Sequence, residues 1–368
     1  MSRNRSDVSP GSERTQVCKL YGQSSSLIAD YLGLCVRCIR ERSERALVIA
    51  DEAHAQARCL FDLPECPPRA EGGRRCGSCV QDCVIDEGQR GFCGLRHVHE
   101  GELRYLAGTA DRGLLYWYRH ALPTNCVADP FCFGHTQRGQ HNLAVFYASC
   151  TIDCLFCQNY HYRGVDPAQS DLLSAQGLAD VANERTHCVC FFGGDPASQM
   201  GHALAAGLRL AERGIAVCWE TNGTARPALM DRALDLALTS GGCVKIDLKA
   251  RDDVLHRALT GASNRYTLEN VRRAAARFEE RPDPPPLVVS TLLVPGYIDA
   301  EEVGRIARFI AEGNPAIPYV LLGFAPHFFF PDLPRTSVRH AEEAEAAAHQ
   351  AGLTRVRVGN RHLLSRAY

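Results

Sequence analysis

The chain has 368 residues, 45% of them hydrophobic, and a formal net charge of −1. That length suffices for one large domain and a smaller one, and the neutral charge leaves no electrostatic footprint for nucleic acid. No apolar run reaches the ~18 residues that a membrane span requires, so the expectation is a soluble, cytoplasmic protein that binds neither membrane nor nucleic acid.

Residues 1–17 are polar and mixed in charge, without an apolar stretch, and read as a disordered tail rather than a signal peptide. Residues 18–132 form a Cys-rich N-terminal region that holds eleven of the eighteen cysteines. A small secreted protein would use them in disulfides. A chain of this size needs no such staples, and metal ligation in a reducing cytosol accounts for them better. Cys76-x2-Cys79-x3-Cys83-x9-Cys93 offers four ligands for a second metal, zinc or an iron–sulfur cluster. Cys35-x2-Cys38 is half of a further site, with Cys59 and Cys66, or Cys126 and Cys132, as candidate partners. Cys18, Cys188, Cys190, Cys218 and Cys243 read as ordinary core thiols.

From about residue 140 the pattern changes to strand–helix alternation, and a core domain is expected over 140–368. Apolar strands are predicted at 143–148, 188–193, 214–220, 243–249, 287–294 and 317–324. Helices are predicted at 171–185, 197–212, 225–239, 267–280, 299–312 and 337–351, and a strand at 354–358 closes the chain. This is the rhythm of an α/β fold with a parallel sheet. Six such units are too few for a closed eight-stranded barrel. An open partial (β/α)6 barrel fits, with a doubly wound sheet as the other arrangement. Both place ligands at the C-terminal ends of the strands.

The first of these strands runs into Cys150-x3-Cys154-x2-Cys157, with Phe156 just before the third cysteine. Three thiolates so close in sequence can wrap one [4Fe–4S] cube and leave its fourth iron open for chemistry. The plainer alternative is a zinc knuckle, although zinc ligands more often come as two C-x2-C pairs. The spacing resembles the signature of the radical S-adenosylmethionine (SAM) enzymes. That resemblance implies the partial-barrel fold, with Cys150, Cys154 and Cys157 as cluster ligands and catalytic residues. It also implies SAM bound to the open iron and cleaved reductively to methionine and a 5′-deoxyadenosyl radical.

Polar residues recur at the other strand ends. Gly193-Gly194-Asp195-Pro196 resembles the GGE motif that grips the SAM amino group, with Asp for Glu. The alternative role for Asp195 is a helix start. Glu220-Thr221-Asn222-Gly223 follows the third strand. On the fourth, Lys245, Asp247 and Lys249 share one face and Val244, Ile246 and Leu248 the other. Lys245 and Lys249 are two of only three lysines in the chain. Three charges facing a barrel interior require pairing or a ligand.

These elements, with Leu293-Val294-Pro295-Gly296 and Phe324-Ala325-Pro326-His327, resemble the glycyl-radical-enzyme activases typified by pyruvate formate-lyase activating enzyme. The resemblance implies that Gly193, Gly194, Asp195, Glu220, Thr221, Asn222, Asp247, Lys249 and His327 surround SAM. The Cys76–Cys93 leader is similar to that of activase-related proteins of the AmmeMemoRadiSam type. An electron donor of flavodoxin or ferredoxin type is implied; the radical acceptor, a partner protein's glycine or a small molecule, is left open. The competing function is an iron–sulfur or zinc scaffold, or an electron carrier, without SAM turnover. Such a protein would not need Asp195, Glu220, Asp247 and Lys249 to converge on one rim.

Overall fold

The structure, a computed structural model, describes residues 15–368. Its central sheet contains Leu115–Ala121 (β1), His141–Tyr147 (β2), Thr186–Gly193 (β3), Ala216–Thr221 (β4), Val244–Asp247 (β5), Leu287–Leu293 (β6), Tyr319–Gly323 (β7) and Val356–Val358 (β8). Their spatial order is their chain order. Strands β2 to β8 are parallel, and β1 pairs antiparallel with β2. A doubly wound sheet reverses its strand order at a switch point. Here there is no reversal, so right-handed crossovers put the helices on one face and the sheet curls around the other. β1 and β8 do not pair, and the barrel stays open.

Side-chain alternation sorts the two faces. Val189, Phe191, Val217, Trp219, Val244, Ile246 and Val289 are buried in the large apolar core beneath the helices. Helix Ala300–Gly313 shows the local logic: Asp299 caps it by accepting from the Glu302 amide at 2.8 Å, and Val303, Ile306, Ala307 and Ile310 face the sheet.

Several elements depart from the sequence expectation: helices Val36–Glu41 and Asp253–Thr260 are additional, and the helix expected over 171–185 is only Ala175–Asp180, begun by the Ser174 cap. Helix Ser43–Cys59 was not anticipated, because its buried face is Ala46, Ala50, Ala53, His54, Ala57 and Arg58, with no large apolar residue to mark the period. Strand β1 belongs to the sheet of the core although it precedes residue 132, and its largely exposed aromatic residues hide any alternation. Of the tail expected over 1–17, residues 1–14 lie outside the described residues; Gln16–Val17 pairs with Ser24–Ser25. No helix among the described residues is long and apolar enough to cross a membrane.

The N-terminal region is laced onto the strand-end face. The Val80 amide donates to Thr224 O at 2.9 Å, and the Arg226 amide to Ser78 O at 2.9 Å. Nearer the N-terminus, residues 27–34 press against the loop after β6. Gly296 has φ +78°, and a Cβ there would meet Leu27 O at 2.0 Å, so this position requires glycine. Tyr297, fully buried, accepts from the Ala29 amide at 3.0 Å and donates to Leu34 O at 2.9 Å. Tyr297→Phe should lower the unfolding free energy by about 1–3 kcal/mol, because it strands a buried amide and carbonyl. Denaturant unfolding of the metal-free chain checks this; an unchanged midpoint would remove the hydroxyl from this seam.

Candidate active site

The loop after β2 carries Cys150, Cys154 and Cys157 and is held at its middle by two backbone bonds on either side of Cys154. Asp153 N donates to Thr260 O at 2.7 Å and Leu155 N to Leu259 O at 3.2 Å. Its central anchor is Asp153, which has no solvent exposure. This carboxylate meets His54 Nδ1 at 2.8 Å, Arg58 Nη1 at 3.5 Å and Arg163 Nη1. Burial alone would push its pKa up. Arg163 foremost, with His54 and Arg58, instead holds it well below the usual carboxylate range. Sequence reading missed Asp153. The one available signal was a carboxylate inside the cysteine run, without its partners 99 and 95 residues away in His54 and Arg58.

Cys150, Cys154 and Cys157 line one cavity of about 180 Å³ together with Asp195, Glu220, Asp247 and Lys249. Gly193 and Gly194 form part of its wall. Gly193 has φ +111°, and a Cβ on Gly194 would meet Ser149 O at 2.3 Å, so this strand end tolerates no side chain against the cysteine loop. Burial pushes all three thiols up, Cys154 to about 12. Bare, they are neutral; a soft metal would displace their protons. Asn222 Nδ2 lies 3.6 Å from Cys150 Sγ and so presents a donor to a thiolate there. Three convergent soft ligands fit an iron–sulfur cluster. Among the described residues, the only three His, Cys, Asp or Glu side chains close enough for a single ion are Cys18, Cys35 and Cys38, which argues against a zinc knuckle at Cys150.

The charged strand ends form a ladder. Glu220 Oε2 meets Lys245 Nζ at 3.2 Å, Lys245 Nζ meets Asp247 Oδ1 at 3.1 Å, and Asp247 Oδ2 meets Lys249 Nζ at 3.2 Å. Ser290 also donates to Asp247. Burial opposes the charge on Asp247, but Lys245 and then Lys249 hold its pKa well below the usual range. Both lysines are held upward chiefly by Asp247, against their burial. The charged face expected from alternation is therefore paired within the protein and still lines the cavity. Glu220 Oε1 in addition accepts from Cys126 Sγ at 2.8 Å.

Of four further expected SAM-binding residues, Asp195, Thr221 and Asn222 line the cavity with polar groups already bonded within the protein, and His327 does not line it. Asp195 is nine-tenths or more buried, and its carboxylate accepts from Ala197 N at 2.7 Å, Thr221 Oγ1 at 2.9 Å and Asn222 N at 2.5 Å. It caps the following helical turn and ties the end of β3 to that of β4, leaving little acceptor capacity for an ammonium. Thr221 points to Asp195, and Asn222 to Thr151, Thr224 and Cys150. His327 is not among the cavity-lining residues; its ring lies 5.4 Å from that of Tyr160, and its Nε2 is buried without a partner.

Cys76, Cys79, Cys83 and Cys93 line one small cavity beside the buried Arg96, but no three of their sulfurs lie as close together as one ion would need. For Cys35 and Cys38 both sets of expected partners are displaced. Cys59 donates to Glu65 and Cys66 is exposed, while Cys126 and Cys132 pack inside the barrel with Cys218 and Cys243. The thiol that joins Cys35 and Cys38 is Cys18. Its position 17 residues upstream of Cys35 carried no recognisable spacing.

Two tests follow. Asp153→Ala should destabilise the chain by about 3–5 kcal/mol, because it leaves buried cations unpaired; denaturation of the metal-free protein reads this out. Asp195 gives a pH signature. Burial, with Asp247 nearby, raises its pKa from 3.8 to about 6, so the folded state binds the extra proton between those values. Its contribution is complete below pH 3.8 and declines as pH rises to about 6. The stability of wild type relative to Asp195→Asn should fall across that window; a flat difference would refute the raised pKa.

A sequence profile of the Radical SAM superfamily matches residues 144–310. The isethionate sulfite-lyase activating enzyme of Oleidesulfovibrio alaskensis is 36% identical over 141 residues, 37% of this chain and 43% of that protein. The pyruvate formate-lyase 1-activating enzyme of Escherichia coli K12 is 27% identical over 195 residues, 48% of this chain and 74% of that protein. A solved domain of pyruvate-formate lyase-activating enzyme from Bacteroides vulgatus is 22% identical, with a TM-score of 0.39, covering 47% of this chain and 99% of that one. The chain thus spans less than half the length of the first of these relatives.

Proposed function

From the premise that the chain carries a radical SAM domain over residues 144–310, we propose that it is an activase-like radical SAM enzyme. In this reading Cys150, Cys154 and Cys157 hold a [4Fe–4S] cluster. The observation that carries it is the convergence of three buried thiols and the Glu220–Lys245–Asp247–Lys249 ladder on one cavity. A scaffold or electron carrier would need the thiols alone.

A [4Fe–4S] cluster held by Cys150, Cys154 and Cys157 would supply the electron for reductive cleavage of SAM to methionine and a 5′-deoxyadenosyl radical, the species that would abstract hydrogen from the acceptor. The protein's share is orientation and exclusion of water. Lys249, at the rim of the ladder, offers a donor to the SAM carboxylate. Asp247 holds that ammonium charged and in place, and Glu220 sets the position of Lys245. Asp195 acts one step back: it fixes the Thr221–Asn222 corner, whose amide donor faces Cys150. The acceptor is a partner protein's glycine or a small molecule at the barrel mouth. The electron comes from a flavodoxin- or ferredoxin-type donor in the cytoplasm.

Anaerobic reconstitution tests the assignment. Changing Cys150, Cys154 and Cys157 to Ala should abolish the reduced-cluster EPR signal that the loaded chain shows, apart from any signal from the Cys76–Cys93 site, which Cys79→Ala identifies. Lys249→Ala should weaken SAM binding roughly ten- to a hundredfold, the loss of one charge-assisted contact of about 1.5–3 kcal/mol. An intact EPR signal, or wild-type SAM affinity, would overturn the corresponding part.

A further inference from the structure

The thiols of Cys18, Cys35 and Cys38 lie outside the proposed active site. Cys18 follows strand Gln16–Val17, Cys35 caps helix Val36–Glu41, and Cys38 is within that helix. Their three sulfurs all lie within 4.8 Å of one another, with Cys18 Sγ and Cys38 Sγ 3.3 Å apart. Cys18 and Cys38 are buried, and Cys35 is half-buried. The Cys35 amide donates to Cys18 Sγ at 3.4 Å.

Each of these features suits one ion. A tetrahedral zinc with Zn–S bonds of about 2.3 Å holds its sulfurs roughly 3.8 Å apart, so this trio needs only small adjustments. An iron–sulfur cube spreads its thiolates over separate corners. A backbone donor aimed at sulfur stabilises the thiolate form that a metal requires. All-sulfur ligation selects soft ions and disfavours magnesium or calcium.

The position of the trio gives it a purpose. Between Cys18 and Cys38 the chain forms a hook over the barrel rim: Ala29 and Leu34 bond Tyr297, and the Asp30 amide donates to Asp332 Oδ2 at 2.8 Å. At its tip, Tyr31 stacks on Phe329 with ring centroids 4.2 Å apart. The Phe329 amide in turn donates at 3.0 Å to the carbonyl of Leu155, which lies between Cys154 and Cys157. Closing the two ends of the hook at one point restricts how far its tip can lift from that loop.

We propose that Cys18, Cys35 and Cys38 bind one soft divalent ion of the zinc class, completed by a solvent ligand at the half-exposed Cys35 side. The ion fastens the hook against the loop that carries Cys154 and Cys157. This site stands apart from the proposed SAM chemistry and does not rest on it.

Cobalt(II) alone, titrated into the full-length chain without oxygen, is the probe. Thiolate-to-cobalt absorption and bound cobalt should each fall by one equivalent in Cys18→Ser and in Cys35→Ser, but not in Cys59→Ser. Unchanged uptake in the first two variants overturns the site. Should they fail to fold, the wild-type chain decides. With zinc bound, Cys35 should resist alkylation; a chelator should abolish that protection, and added zinc should restore it. Equal alkylation with and without zinc, or a Cys18–Cys38 disulfide in chain isolated without oxygen, overturns the proposal.

Discussion

One buried carboxylate fixes the cysteine loop. Asp153 gathers an imidazole and two guanidinium groups from helix Ser43–Cys59 and from Arg163, all almost fully withdrawn from water. Burying any one of these charges alone costs several kcal/mol; together they compensate one another and have few alternative arrangements. The result is a rigid joint between the N-terminal helix and the loop that presents three thiols. Arg58 extends the joint by donating to the carbonyls of Pro64 and Phe92, next to Cys93 of the leader. The Cys150–Cys157 loop and the backbone beside Cys93 are therefore tied to one electrostatic core.

The strand ends depend on a second compensation. A period of two sends Lys245 and Asp247 inward while Val244 and Ile246 go beneath the helices. Within the chain these charges pair among themselves. Pairing within the protein and binding of a ligand are thus not rival descriptions. The ladder keeps each group ionised at little cost, and its outer lysine, one-sixth exposed, retains donors for an incoming carboxylate. A lone lysine in the same place would lose its charge to burial.

The sequence carried the parts of this arrangement that depend on near neighbours. The spacing of Cys150, Cys154 and Cys157, the inward face of β5 and the βα rhythm are all local patterns. What it concealed is long-range. Asp195 sits in a motif that suggests a ligand contact, yet its acceptors are filled by Ala197, Thr221 and Asn222. Only the meeting of two strand ends determines that. Cys18 reads as a core thiol because nothing in its own neighbourhood points to Cys35. Helix Ser43–Cys59 packs through alanine and charged residues, so its burial leaves no hydropathy period. Edge strand β1 is mostly exposed and joins the sheet from a region that composition alone assigns elsewhere.

The far end of the barrel explains why chemistry is confined to the strand-end rim. Residues 126–132 fold inward, and Cys126, Val127, Ala128, Phe131 and Cys132 pack against Cys218, Cys243, Val288 and Val320 from the starts of the strands. The space there is narrow, and cysteine serves as a small apolar filler. This plug closes the barrel floor. It also reaches the active side, since Cys126 bonds Glu220 and so supports the ladder from below. The cavity lined by the cysteine loop, the glycine pair and Lys249 lies at the opposite, strand-end rim. Widening the floor by trimming the plug would loosen Glu220 before it admitted a substrate from beneath. The plug is better understood as the support for the charged ladder than as a gate.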